Sequence, residues 1–313
     1  MPSSACARVP RTTRPATSSR RIARRSATAR ATIRLPRRCW HRRSRSPCTV
    51  ISPRRRFVVS STESSQSVAE RTAPILVAGH QPHYLPWIGY FNKIEQSSRF
   101  CLVDSVQFTK KWFQNRNKIR TKTGEVWLTV PVKTHDRFEQ PIADVLIDNA
   151  TPWRRKHWRT IELAYKDAPF FKQYADFFID VYAREWTKLV DLNEHVMLGV
   201  MEFLNIKKDV VRSSTFGPKG QKTDLLIDIC RKTGADGYLS GTGGAKSYVQ
   251  LEKFEEAGLL HEFQQFTHPV YPQIHGGFVP RMAVLDLLFN VGPDAERLVK
   301  DASGQGEETA KAS

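Results

Sequence analysis

The chain has 313 residues, of which 49 are basic and 31 acidic, so its formal net charge is +18. Residues 1–74 hold 18 Arg, no Lys and two acids, and they alone carry +16. Residues 75–313 therefore carry +2, which removes the electrostatic case for nucleic-acid binding by the body of the protein. The sequence has no apolar run long enough to span a membrane, and two body cysteines are too few for a disulfide framework.

The composition of residues 1–74, rich in Arg, Ser, Thr, Ala and Pro, predicts a disordered leader. Three interpretations stay open. The leader is the product of a wrongly assigned translation start, an organellar transit peptide, or a nucleic-acid-binding arm. The absence of Lys fits the codon bias of the first interpretation as well as the targeting need of the second. We expect a cytoplasmic protein, or an organellar one if the leader is a true transit peptide. Residues 301–313 are predicted to be a second disordered tail.

The predicted elements of the body alternate between strands and helices. Apolar runs predict strands at residues 75–78, 100–103, 126–132, 210–214, 237–240 and 260–266. Helical spacing predicts helices at 87–97, 151–165, 170–186, 189–204, 223–233, 249–257 and 281–290, with Thr151 as a cap and Gly234 as a C-terminal stop. This pattern predicts an α/β fold with a mostly parallel sheet, flanking helices and a nucleotide-binding-like architecture. We expect one domain over residues 75–300 with a helical insert at about 151–205.

The first candidate site follows the first predicted strand, where ligands bind in open α/β sheets. His80 and His83 lie three residues apart in a loop stiffened by proline, and imidazoles there can contact phosphate or transfer protons. Tyr84 and Trp87 add aromatic surface for a sugar. No third ligand is apparent nearby, so no metal site is predicted, although a nucleotide bound with a divalent metal remains compatible with the sequence.

A second candidate site follows the second predicted strand. Asp104 could contact a ribose, a metal or a substrate amine, or simply cap a turn. The side chains of Gln107, Gln114, Asn115 and Arg116 suit sugar hydroxyls or phosphates. Residues 112–116 also resemble the recognition helix of a homeodomain, but the residues that follow predict a turn and a strand, so that interpretation fails.

A third candidate site is the glycine-rich stretch after the strand at 237–240. Gly241, Gly243 and Gly244 could present backbone N–H groups to a phosphate. Lys246 and Ser247, which we expect at the start of the next helix, would add side-chain contacts. The loop around His275 is predicted to form a wall or lid of the site.

Several motifs together resemble the WbqC-like protein family. They are HQPHYLPWIGYF at residues 80–91, DSVQF at 104–108, FQNRN at 113–117, WLTVPV at 127–132, and YLSG at 238–241 with its glycine loop. The resemblance covers residues 75–293. It implies a role in surface-polysaccharide or O-antigen biosynthesis, where such proteins are encoded.

The combined interpretation is a group-transfer enzyme acting on a nucleotide-activated sugar or an acyl or aminoacyl donor. A non-catalytic protein that binds glycans or nucleotides is the first alternative, and nucleic-acid binding through the leader is the second. We expect a nucleotide or sugar nucleotide as the partner, neither nucleic acid nor membrane, and leave the oligomeric state open.

Overall fold

The computed structural model describes residues 73–303, except residues 136 and 138. The predictions for residues 1–72 and 304–313 therefore lie outside the described residues. Seven strands are present in this part of the chain: β1 Leu76–His80, β2 Arg99–Leu102, β3 Arg116–Thr121, β4 Gly124–Thr129, β5 Asp209–Arg212, β6 Gly237–Ser240 and β7 Leu260–Phe263.

Eight α-helices connect or flank these strands within the described residues. They are α1 Ile88–Gln96, α2 Trp153–Tyr165, α3 Phe171–Ala183, α4 Leu189–Phe203, α5 Thr223–Thr233, α6 Leu251–Glu256, α7 Val284–Val291 and α8 Ala295–Asp301. None of these helices is long and apolar enough to cross a membrane.

Five strands form one fully parallel sheet in the order β5-β2-β1-β6-β7. The chain builds outward from β1 through β2 to β5, and then returns to the other side of β1 to build β6 and β7. The strand order therefore reverses between β1 and β6. In open α/β sheets, the carboxyl ends of the strands flanking such a reversal form a crevice. The predicted α/β class with a mostly parallel sheet is confirmed.

Apolar side chains on the two faces of the sheet enter two different clusters. Val77 and Cys101 pack with residues of α5 and α6, whereas Ala78 and Phe100 pack in the larger cluster that contains α2, α3, α4 and α7. This division follows from the strand period of two, because neighbouring side chains point to opposite faces. The two cysteines of the body, Cys101 and Cys230, are both buried free thiols.

Three local predictions need correction. The strand predicted at 126–132 ends at Thr129 and pairs antiparallel with β3, outside the parallel sheet. The side chain of Thr151 does not cap α2, which begins at Trp153 without a side-chain cap. After the last helix predicted, the chain forms a further helix, α8, which packs on α1 through a hydrogen bond from Asn92 Nδ2 to the Val299 carbonyl of 2.8 Å.

The glycine-rich stretch also differs from its prediction. A single 3₁₀ turn spans Gly244–Ser247, and α6 begins only at Leu251. Lys246 and Ser247 therefore do not lie at the start of a helix, and no helix dipole is available to them. The Ser247 hydroxyl donates to the Gly244 carbonyl at 2.7 Å, which closes the turn on itself.

Candidate active site at the carboxyl edge of the sheet

A cavity of about 430 Å³ opens where the strand order reverses, between the carboxyl ends of β1 and β6. Its volume is in the range of small-molecule sites. The first and third candidate sites of the sequence, which are the loops after β1 and β6, meet there because these strands are parallel neighbours. The lining residues include Gly79, His80, Gln81, Lys93, Lys222, Tyr238, Ser240, Gly241, Gly243, Gly244 and Tyr248.

The last residue of β1, His80, presents one ring nitrogen for further bonding. Its Nδ1 lies 3.0 Å from the Gln81 carbonyl, which can only accept, so Nδ1 carries the proton and donates. In the neutral ring Nε2 then holds a lone pair. Burial, and next the charge of Lys93, lower the pKa of His80 to about 4. His80 is thus neutral near pH 7, and its Nε2 can accept a hydrogen bond.

His83 stands behind His80 as part of a packed aromatic layer. Its ring centroid lies 4.5 Å from that of His80, 5.6 Å from Tyr90 and 5.7 Å from Phe113. Burial lowers the pKa of His83 well below its usual value. Its Nε2 is buried and finds no partner among the described residues. The ring supports His80, and it does not appear in the cavity wall.

The predicted site residue Gln114 holds the loop after β1 in place through a hydrogen bond to Gln81. Its Nε2 donates to Gln81 Oε1 at 2.7 Å, while its own Oε1 accepts from the Thr109 amide at 2.8 Å. Gln114 is fully buried, and its backbone carbonyl accepts a hydrogen bond from Asn193 Nδ2 at 2.8 Å. This chain of amides positions Gln81 at the cavity wall.

Close contact between β1 and β6 forms the floor of the cavity and requires a glycine. A Cβ atom on Gly79 would lie 2.5 Å from the Tyr238 hydroxyl, closer than real Cβ contacts. The Tyr238 hydroxyl donates to the Gly79 carbonyl at 3.3 Å. Of the predicted phosphate-binding set, the three loop glycines line the cavity, whereas Lys246 and Ser247 do not. The Lys246 ammonium instead lies 5.8 Å from the centroid of the Phe263 ring.

Two lysines that the sequence analysis missed line the cavity. Lys93 of α1 is only 4% exposed, and its Nζ donates to the Gly79 carbonyl at 2.8 Å. Lys222 precedes α5 with a φ of 50°, a backbone conformation that side chains rarely adopt. Strain of this kind concentrates at functional sites. The sequence signal for Lys93 was its place three residues after Tyr90, on the buried stripe of an amphipathic helix.

The predicted site residue Asp104 lies outside the cavity wall, between the ends of β2 and β5. It is fully buried, and its carboxylate accepts from the Ser213 hydroxyl at 3.0 Å and from the Ser214 amide and hydroxyl at 2.8 and 2.7 Å. These contacts join two segments more than a hundred residues apart. Asp104 is not part of the cavity wall, and its bonds serve to hold the edge of the sheet on which the cavity is built.

The remaining predicted site residues are not among those that line the cavity, and five of them have a contact of their own. Tyr84 shares its hydroxyl with His157 and Tyr182, and Trp87 packs edge-on against Phe266. Gln107 is exposed. The partners of the other three are the Val130 carbonyl for Asn115, the face of Trp127 for Arg116 and the Ala164 carbonyl for His275. Within the described residues no three His, Cys, Asp or Glu side chains are arranged to hold a metal ion.

The fold and site define a parallel α/β protein with a cavity lined by two lysines at the reversal of its strand order. A profile of the WbqC-like protein family matches residues 81–298, and the chain belongs to this family. It is also similar to the uncharacterised protein Rv1507c of Mycobacterium tuberculosis, with 38% identity over 221 residues, 70% of this chain and 95% of the relative. No solved structure matches the chain significantly.

Proposed function

We propose that this protein binds a nucleotide-activated sugar, or a nucleotide-linked acyl or aminoacyl donor, in the cavity between β1 and β6 and transfers a group from it. The observation that carries the proposal is the charge of the cavity. Lys93 and Lys222 line it together with three loop glycines, and none of the described lining residues is acidic. A cavity of this composition at the strand-order reversal favours a phosphate-bearing ligand.

The proposal gives the residues around the cavity distinct roles. Backbone groups of the loop from Gly241 to Gly244 contact the phosphates. His80 faces the acceptor, where its Nε2 lone pair takes a hydrogen bond from the attacking amine or hydroxyl and orients it. A phosphate bound beside His80 would raise its pKa, because a nearby negative charge favours the protonated ring. His80 could then receive the acceptor's proton as the donor's nucleotide leaves.

The proposed setting is the synthesis of surface polysaccharide, and its support is the family to which the chain belongs. The proposal places the reaction in the cytoplasm. The free, buried thiols of Cys101 and Cys230, the cysteines in the described part of the chain, agree with a reducing compartment.

A non-catalytic role is the second candidate, and two observations favour it. The pKa of His80 near 4 makes a weak base, and the Asp104 carboxylate is already occupied by serine donors. In that case the cavity would bind a nucleotide-linked sugar without changing it. Turnover of a bound donor by the purified protein distinguishes the two candidates.

A thermal-shift screen of the full chain against nucleoside diphosphates and sugar nucleotides tests the proposal. A ligand that binds only the folded state raises the unfolding midpoint, by the equivalent of about 2.7 kcal/mol at a hundredfold excess over Kd. We expect at least one of these compounds to do so, and the shift to diminish in His80→Gln. The matched control is Lys172→Met, which changes an exposed residue of α3. If no compound stabilises the wild type, the proposal is wrong.

A further inference from the structure

The ammonium of Lys93 occupies a central position in the cavity wall. Its Nζ donates to the Gly79 carbonyl at the end of β1. On the other side, a Cβ atom built on Gly241 would lie 3.8 Å from the same Nζ. Lys93 therefore lies between the two strand ends that flank the reversal, next to the backbone of the glycine loop.

This buried cation has no counter-charge within the described part of the chain. None of the described ion pairs involves Lys93, and the other charged residue of the cavity wall, Lys222, has the same sign. Burying an ammonium without a counter-charge is costly, because its hydration is lost and is replaced only by the Gly79 carbonyl and the Tyr238 ring, whose centroid lies 5.9 Å from Nζ. That cost lowers the pKa of Lys93 to about 7. A negatively charged ligand is the partner that would remove it.

We propose that Lys93 is the anion-binding group of this cavity and forms an ion pair with a tetrahedral anionic group, a phosphate of the ligand. The assignment of that anion to a substrate phosphate rests on the proposed function. The ion pair requires the ammonium form, so above about pH 7 the protein takes up a proton when the anion binds. Lys93 thereby replaces Lys246, the lysine that the sequence suggested for this contact.

Other titratable groups around Lys93 do not produce the same pH dependence. Burial lowers the pKa of His80 on β1 and of His261 on β7, so both rings are neutral above pH 7. Burial raises the pKa of Cys101 on β2 to about 12 and that of Tyr238 on β6 well above its usual value. Among these groups, only Lys93 changes its charge between about pH 7 and 9.

Sulfate is a suitable probe, because it is a tetrahedral dianion that does not itself titrate in this range. Its apparent Kd for the full chain is measured from thermal shifts at several values between about pH 6 and 9. For the wild type we expect affinity to fall by nearly tenfold for each pH unit above about 7. Lys93→Met should bind sulfate at least about tenfold more weakly near pH 6, with little dependence on pH. Lys172→Met, with an exposed lysine removed, should behave like the wild type.

The outcomes separate this inference from the proposed function. Two results would overturn the role of Lys93. One is a wild-type sulfate affinity that does not depend on pH, and the other is a Lys93→Met protein with the wild-type sulfate affinity and pH profile. Loss of sulfate binding in Lys246→Met but not in Lys93→Met would do the same. If nucleotides stabilise the protein but Lys93→Met leaves sulfate affinity unchanged, only the inference about Lys93 fails. If sulfate binds through Lys93 and no nucleotide binds, the inference stands and the proposed function fails.

Discussion

Replacing Lys93 with Met should stabilise the ligand-free protein, and the gain should shrink as the pH rises. The side chain is 4% exposed, and its ammonium donates to one carbonyl and lies 5.9 Å from the centroid of the Tyr238 ring. Met has a similar length, fills the same space and has no charge to desolvate. The expected gain in stability would come with a loss of anion binding, a conflict typical of functional sites.

The magnitude follows from the pKa of the lysine, which burial lowers from 10.5 to about 7. At about 1.36 kcal/mol for each pKa unit, the charged form costs up to about 5 kcal/mol of the free energy of unfolding. Between pH 7 and 10.5 the unfolded chain holds a proton on Lys93 that the folded chain has released. The wild type therefore gains stability relative to Lys93→Met as the pH rises through this window.

Urea unfolding of the full chain measures the effect. Wild type, Lys93→Met and the exposed control Lys172→Met would be compared near pH 6, 7.5 and 9, with free energies obtained by linear extrapolation. We expect Lys93→Met to exceed the wild type by several kcal/mol at the lowest pH and by much less at the highest. Parallel profiles for wild type and Lys93→Met, or a variant less stable throughout, would refute the desolvation argument.

Three further predictions concern the frame of the cavity. Gly79→Ala should lower the free energy of unfolding in urea titrations by about 1–3 kcal/mol, because the added Cβ would collide with the Tyr238 hydroxyl. The control Gly243→Ala should change this free energy little, because a Cβ at Gly243 meets open space. Asp104→Ala should cost about 3 kcal/mol or more in the same assay, since buried serine donors lose a carboxylate, and an unchanged midpoint would argue against its structural role. Lys222→Gly should raise the thermal midpoint by relieving the positive φ, by the equivalent of roughly 1 kcal/mol, and a lower midpoint would contradict this.

The parallel sheet was predictable because its strands are short apolar runs and its helices keep a regular apolar spacing. The predicted bounds of α5 at 223–233 agree with the structure, and Gly234 ends the helix in the left-handed conformation as expected. The strand β3 could not be predicted from the sequence, because one of its buried positions is the polar residue Asn117 and the strand therefore lacks an apolar run. That amide is buried only because it donates to the Leu85 carbonyl at 2.6 Å, a partner 32 residues away.

The candidate site was predictable where it depends on strand ends and glycines, and unpredictable where it depends on long-range contacts. His80 and the loop glycines reach the cavity because His80 ends β1 and the glycines follow β6, the two parallel strands beside the strand-order reversal. Lys93 was missed because a lysine within an apolar helix is ordinarily a solvated residue whose stem alone is buried. Its burial is set by β6 and the glycine loop, which lie some 145 residues further along the chain.

The crystal structure of the full chain with the sugar nucleotide that most raises its unfolding midpoint would test the central claim most directly. The account predicts the ligand's phosphate at the carboxyl edge of the sheet between β1 and β6, paired with the Lys93 ammonium and touching the glycine loop. A ligand bound elsewhere would contradict it, for example in the surface cavity that Arg155 and Trp158 line on α2.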